Sequence, residues 1–208
     1  MLAATLIGTP AVAAGVYEYF GLGGASGSAV PSCPGNPCAV VTETTGFQAS
    51  IAGRHSSSVV GRAGHVTSWR IALSKPNAAE VAYFDESVGA PPSAGLVVLR
   101  HTTGYHFRVV GASPIVLLAA LFGRTTKFAL KHRLPVRAGD ILAVTVPTWA
   151  PALAVGLDAG TAWRSSRATG TCSSLFSQTA VITGGAVTTS ECVYATARLA
   201  YGVTVSVG

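Results

Sequence analysis

The stretch TAWRSSRATGTC, residues 161–172, concentrates side chains that could do chemistry. Trp163 offers an aromatic face, Arg164 and Arg167 offer guanidinium forks suited to anions, and Cys172 offers a thiol. In a regular strand Trp163 and Arg167 share one face and Arg164 takes the other. One ligand therefore meets both arginines only if the chain bends at Ser165–Ser166. The first expectation is a stapled strand with Arg167 stacked on Trp163, and the second is half of a binding surface. Trp149 lies in VPTWAPAL, bracketed by Pro147 and Pro151. Rigidly held indoles stack on sugar rings, although plugging the end of a core is the commoner use of so large a side chain. A further cluster is basic: in GRTTKFALKHRLPVR, Lys127, Lys131, Arg133 and Arg137 share one parity. A continuous strand presents them as a stripe suited to a polyanion, while a solvated face or a lysine-guarded edge explains them more simply.

Catalytic signatures are missing. No G-x-S-x-G elbow occurs, and no short motif marks a Ser/His/Asp triad. Glu18 falls in an expected linker, and the other carboxylates (Glu43, Glu80, Asp85, Glu86, Asp140, Asp158 and Glu191) are scattered, so nothing brings two together for glycoside hydrolysis. Nor do they form a calcium loop. Asp140, in an AGD turn, is expected to accept backbone hydrogen bonds. His101 and His106 flank a TTG turn without a third metal ligand, and His132, on the apolar face of its strand, is expected to be a hydrogen-bonded core histidine. No metal and no cofactor is expected. Nucleic acid is not an expected partner either, because neither an RNP-like aromatic pattern nor a recognition helix appears.

Four cysteines and an apolar leader-like start agree on the compartment. The simplest of the three connectivities is Cys33–Cys38 with Cys172–Cys192, which suits an oxidising environment; zinc spacing is absent. Residues 1–14 read as the remnant of a signal peptide, with Ala11-Val12-Ala13 fitting a cleavage pattern but no basic residues before the apolar run. Residues 15–38 read as a Gly/Ser/Pro-rich linker ending in the small Cys33–Cys38 loop; its GLGGASG lacks the strand and helix a dinucleotide site needs. Residues 39–208 form one domain. Charged residues are only 11% of the 208, yet 14 Lys+Arg against 8 Asp+Glu leave a net charge of +6. The mean hydropathy of +0.47 comes from small Ala and Val rather than from a membrane span, since IVLLAALF is far too short to cross.

Period-2 alternation dominates after residue 39 and predicts the elements that hold these side chains. HVTSWRIAL places Thr67, Trp69, Ile71 and Leu73 on one face. LVVLR and YHFRVV flank TTG as a hairpin, and DILAVTVP is apolar on both faces, as a doubly covered strand is. From Val193 to Val207 every second residue is apolar or aromatic, predicting one long strand or two bent at Gly202. NAAEVAYFDESVG predicts a helix capped by Asn77 with Glu80 in a capping box and Gly89 as stop; SPIVLLAALFG predicts a second, short helix. The fold class is all-β: an antiparallel β-sandwich, jelly-roll-like, with one or two short helical insertions.

The segments VPTWAPALAVG and TAWRSSR, with the Cys172…Cys192 pair before an aromatic-containing last strand, resemble a group of uncharacterised secreted actinobacterial proteins over roughly residues 45–205. The resemblance implies export and a shared β-rich fold, and no activity. The functional expectation is a secreted or cell-surface, non-catalytic binding protein whose ligand is a glycan or an anionic wall polymer. Trp149, Trp163, Arg164 and Arg167 are the contact candidates, with Lys127, Lys131, Arg133 and Arg137 as a second patch. The alternatives are a secreted hydrolase with an unmarked site and a structural protein that assembles through its strand edges.

Overall fold

A computed structural model describes residues 15–19, 30–35, 37–55 and 57–207; the leader-like residues 1–14 and most of the Gly/Ser-rich run lie outside the described residues. In chain order the strands are β1 (Gly15–Tyr19), β2 (Val41–Ile51), β3 (Arg54–His55), β4 (Gly64–Ala72), β5 (Ser93–Thr103), β6 (His106–Ala112), β7 (Val116–Leu117) and β8 (Thr125–Val136). They continue as β9 (Ile141–Ala150), β10 (Leu153–Val155), β11 (Ala162–Ser165), β12 (Val187–Thr189), β13 (Cys192–Ala195), β14 (Ala197–Leu199) and β15 (Tyr201–Val207). Helix α1 spans Ala78–Val88, with Asn77 and Glu80 closing the expected capping box.

The strands build an antiparallel, all-β sandwich. One sheet has the order β1-β15-β4-β8; the larger one runs β12-β6-β5-β9-β2-β11-β13, with β7 beside β5 and β3 beside β2, while β10 and β14 pair separately. The central strands β5 and β9 carry Leu96, Val98, Leu142 and Val144 on one face and Val97, Leu99, Ile141 and Ala143 on the other. The first face packs against Trp69, Ile71, Tyr201, Val203 and Val205 of the smaller sheet. The second joins Phe47, Phe107 and Val109 inside the curl of the larger sheet, under Val181 and Ala186. Each fully buried Val, Leu, Ile or Phe among them contributes about 1.5–3 kcal/mol. Tyr201 ties the two layers, its hydroxyl donating to the Leu142 carbonyl at 2.7 Å, and burial pushes the phenol well above its ordinary range.

Curling brings the ends of the larger sheet together. Strands β12 and β13 are its two edges, yet only Ser190 and Glu191 separate them in sequence. Arg164 fastens that connection by donating to the Ser190 and Glu191 carbonyls at 3.1 and 3.3 Å, with its guanidinium 4.3 Å from the centre of the Tyr105 ring. The Cys172–Cys192 bridge closes the same corner, and Cys33–Cys38 closes its small loop, as expected. Two such bridges indicate an oxidising, extracytoplasmic environment. No helix of the described residues is long and apolar enough to cross a membrane.

Several local expectations are corrected. Within the segment read as a linker, Gly15–Tyr19 pairs along β15, and Glu18 forms a 2.7 Å salt bridge with Arg70. SPIVLLAALFG yields only a 3-10 turn at Ala119–Leu121, because Ser113 and the β7 residues are claimed by the β5 backbone. The C-terminal run breaks at Thr196, whose φ is +56°, and at Ala200 rather than at Gly202. Val193 and Ala195 are therefore exposed although they share parity with the buried Ala197 and Leu199. His132 is exposed: Leu134 pairs with Val66 and Ala129 with Ser68, so Leu130 to Arg133 bulge opposite Thr67 alone.

Asp140 holds the β8–β9 turn. Only 2% exposed, it accepts the Arg137 amide at 2.8 Å and a two-pronged pair from Arg100, whose Nε and Nη2 both lie at 2.8 Å. The Asp140 carboxylate in turn raises the Arg100 pKa above its ordinary value. Asp140→Ala is expected to cost roughly 2–3 kcal/mol in urea denaturation, because it strands the turn amide and a half-buried guanidinium. An unchanged midpoint contradicts that assignment.

Candidate functional site

Ser166 turns the sequence TAWRSSR into a site. Strand β11 ends at Ser165, and the Ser166 hydroxyl then accepts the Thr45 amide at 2.8 Å and donates to the Thr179 carbonyl at 2.7 Å. The chain bends where both arginines could have been brought together, but the outcome differs from the expectation. Arg167 swings inward and is 1% exposed, whereas Arg164 stays on the far side over Tyr105. The two do not share a ligand surface. Nor does Arg167 stack on Trp163: the indole lies on the Tyr194 ring, with centroids 4.7 Å apart and planes inclined by 22°.

Arg167 is surrounded by neutral acceptors. Its Nε donates to the Ser174 carbonyl at 3.1 Å, and Nη2 donates to the Thr42 and Leu175 carbonyls at 2.9 and 3.3 Å. Among the described residues no carboxylate pairs with it; the salt bridges are Arg70–Glu18 and Arg100–Asp140. The segment 171–178 contains no strand or helix, so its carbonyls need such donors. Thr42 Oγ1 adds a 2.6 Å bond to the Leu175 carbonyl, and the Tyr194 hydroxyl one of 2.6 Å to the Cys172 carbonyl.

Beside Arg167 opens a cavity of about 480 Å³. Val41 and Thr42 of β2, Leu153 and Val155 of β10, Trp163 of β11 and Tyr194 of β13 form its walls. Tyr83 and Phe84 of α1 with Leu175 and Phe176 of the loop complete it. The lining is largely apolar, and Arg167 is the cationic side chain on it. Trp163 is 4% exposed and its Nε1 is buried without a hydrogen-bond partner. Its opposite edge fills the space above Gly46, where a Cβ would come within 2.8 Å of Cζ3. Only glycine admits the indole there.

Trp149 is no contact residue. It is fully buried, donates from Nε1 to Asp85 at 2.8 Å, and packs between Phe84 and Phe122 at 5.2 and 5.5 Å. Helix α1 buries only Val88 fully, so this indole is what fastens it to β9. Lys127, Lys131, Arg133 and Arg137 are all exposed, but the bulge at Leu130–Arg133 breaks the regular stripe. His101 and His106 do not converge: His101 Nε2 meets the Gly104 carbonyl at 2.8 Å, and His106 Nδ1 the Thr189 hydroxyl at 2.9 Å. Among the described residues no imidazole hydrogen-bonds a serine or a carboxylate, and no three His, Cys, Asp or Glu side chains cluster as for a metal. Tyr194, Tyr83, Leu175 and Phe176 join the site without having been expected there. One signal was available, the apolar Leu-Phe pair inside the otherwise polar CSSLFSQ.

In comparisons with known proteins, no family model, no curated protein and no solved structure matches the chain.

Two tests follow from this geometry. Trp149→Phe keeps most of the packing and deletes the bond to Asp85; it is expected to cost about 1–2 kcal/mol and to speed amide exchange in α1 before other elements. Equal acceleration everywhere contradicts the anchoring role. Glu191 accepts the Thr169 amide at 2.6 Å, and that bond holds its carboxyl below the usual value. Because the folded pKa is depressed, the support is present above the unfolded pKa and is lost as pH falls through the folded one. Protection of the Thr169 amide, taken relative to its intrinsic exchange rate at each pH, is expected to fall on acidification, and in Glu191→Gln that pH dependence of the protection is expected to disappear.

Proposed function

We propose that this protein is an exported, non-catalytic binding protein whose ligand is a small, largely apolar molecule seated between Trp163, Tyr194 and the Leu175–Phe176 loop. The observation that carries this reading is the cavity itself. Its volume of about 480 Å³ is in the range of small-molecule sites, and its walls are aromatic and aliphatic with few polar atoms. Its mouth keeps apolar side chains at the surface: Phe176 is 58% exposed, Tyr83 56% and Leu175 47%. A sugar platform is disfavoured by the burial of Trp149 and Trp163, which leaves neither indole face open for stacking.

Exposure of Lys127, Lys131, Arg133 and Arg137 on a chain of net charge +6 favours a second reading, attachment to an anionic wall polymer. Export is supported by the two disulfides and by the leader-like start of the sequence.

Titration with the neutral dye Nile red tests the first reading. A saturable, one-to-one fluorescence rise is expected, and Ala195→Trp is expected to abolish it, because Ala195 is an exposed residue of the cavity wall whose enlargement fills the space. Absence of a saturable site, or an unaltered site in the filled variant, removes this reading. For the second, retention on immobilised polyphosphate should weaken steeply with added salt and disappear when Lys127 and Lys131 are changed to Glu.

A further inference from the structure

We propose that the cavity ligand carries a carboxylate head and that Arg167 is its counter-ion, so that the site takes a small amphiphilic carboxylate with its head inward and its apolar body toward the rim. The inference rests on the cavity being a ligand site and names the chemistry that the site selects.

Charge is the first argument. A guanidinium 1% exposed has given up its water, and such charges are ordinarily paired. Arg70 and Arg100, both more exposed, each have a carboxylate at 2.7–2.8 Å. Arg167, more deeply buried than either, is met among the described residues by carbonyl oxygens alone. Those carbonyls solvate the cation with dipoles and leave its net charge in place. Hydrogen bonds from Nε and Nη2 also leave Nη1 uncommitted. An anion entering the cavity would add the missing charge without displacing a protein group.

Position is the second argument. Arg167 borders an otherwise apolar space whose exposed side chains, Tyr83, Leu175 and Phe176, are gathered at the mouth. Arg167 is the buried, cationic member of this lining and those three are its exposed ones, so a head group on the guanidinium would leave the apolar body toward the surface. Trp163 borders the same space, and its ring supplies an apolar wall for the body of such a ligand. A carboxylate suits a guanidinium in shape as well as in charge.

Calorimetric titration of the full chain with decanoate and with decanol separates the head group from the tail. Decanoate is expected to bind roughly ten-fold or more tighter than decanol. Arg167→Met should bring decanoate down to the level of decanol, with near-ultraviolet dichroism reporting whether the loop keeps its packing. Should that variant fail to fold, the wild-type pair still decides, because acidification that protonates decanoate must erase its advantage. Ala195→Trp must abolish binding of both; decanoate binding that survives there lies elsewhere on the cationic surface and overturns the assignment. Equal affinity, or preference for decanol, overturns the carboxylate while leaving an apolar-ligand site. Binding of neither removes both readings together.

Discussion

The structure depends on a desolvation constraint: the middle strands of the larger sheet are apolar on both faces. In β5 the alternation Leu96, Val97, Val98, Leu99 leaves no solvent side, and all four are fully buried. One face is covered by a second sheet, the usual solution for a sandwich. The chain covers the other with the sheet's own curl, which brings the end of β12 within two residues of the start of β13, and with residues running from Thr179 to Ala186. The hairpin, the C-terminal breaks and the disulfide corner are consequences of closing that second face.

Closing it buries polar atoms, and these set the register. Gln48, 1% exposed, donates from Nε2 to the Ser50, Ala162 and Ala197 carbonyls and accepts the Leu199 amide, standing in for a strand between β2 and β14. Thr45 links to Thr145 at 2.8 Å and accepts the Val181 amide at 2.9 Å, which pins the covering segment across β2. These groups are matched in direction, so a one-residue slip would leave several of them unpaired in a dry interior. Apolar burial accounts for the association of the layers, and this polar set accounts for their alignment.

Arg167 belongs to the same logic and also exceeds it. A loop without regular structure has carbonyls that require donors, and a buried guanidinium supplies them efficiently. Lysine or glutamine would be the less charged or less ramified choice. The result is a loop held by a cation beside a cavity with apolar walls. Trp149 shows the contrasting case of an aromatic whose polar edge is fully used: its N–H is committed to Asp85, and its faces are packed by Phe84 and Phe122. Both indoles are core in area, but only Trp163 combines burial with an unpartnered donor and a neighbouring space.

Much of the fold was legible because it depends on short-range pattern. Alternation identified the β5–β6 hairpin, β9, the apolar face of β15 and that of β4 from Trp69 onward, but not the burial of Val66 beside Trp69 across the bulge at Thr67; the Asn77–Glu80 box identified α1; cysteine spacing identified both bridges. Period-2 parity failed where backbone irregularity reset it, at the bulge that exposes His132 and at Thr196, because a single left-handed residue or inserted bulge leaves no mark on side-chain type. The site was half legible. Sequence alone placed Trp163 and Arg164 on opposite faces of one strand and named Ser165–Ser166 as the place where a bend would be needed. Only the tertiary structure decided that Trp149 is sealed, that Tyr194 and Leu175 complete a cavity with Trp163, and that no carboxylate among the described residues reaches Arg167. Those facts depend on which distant segments the curl brings together, and burial and charge pairing are properties of that assembly rather than of any local spacing.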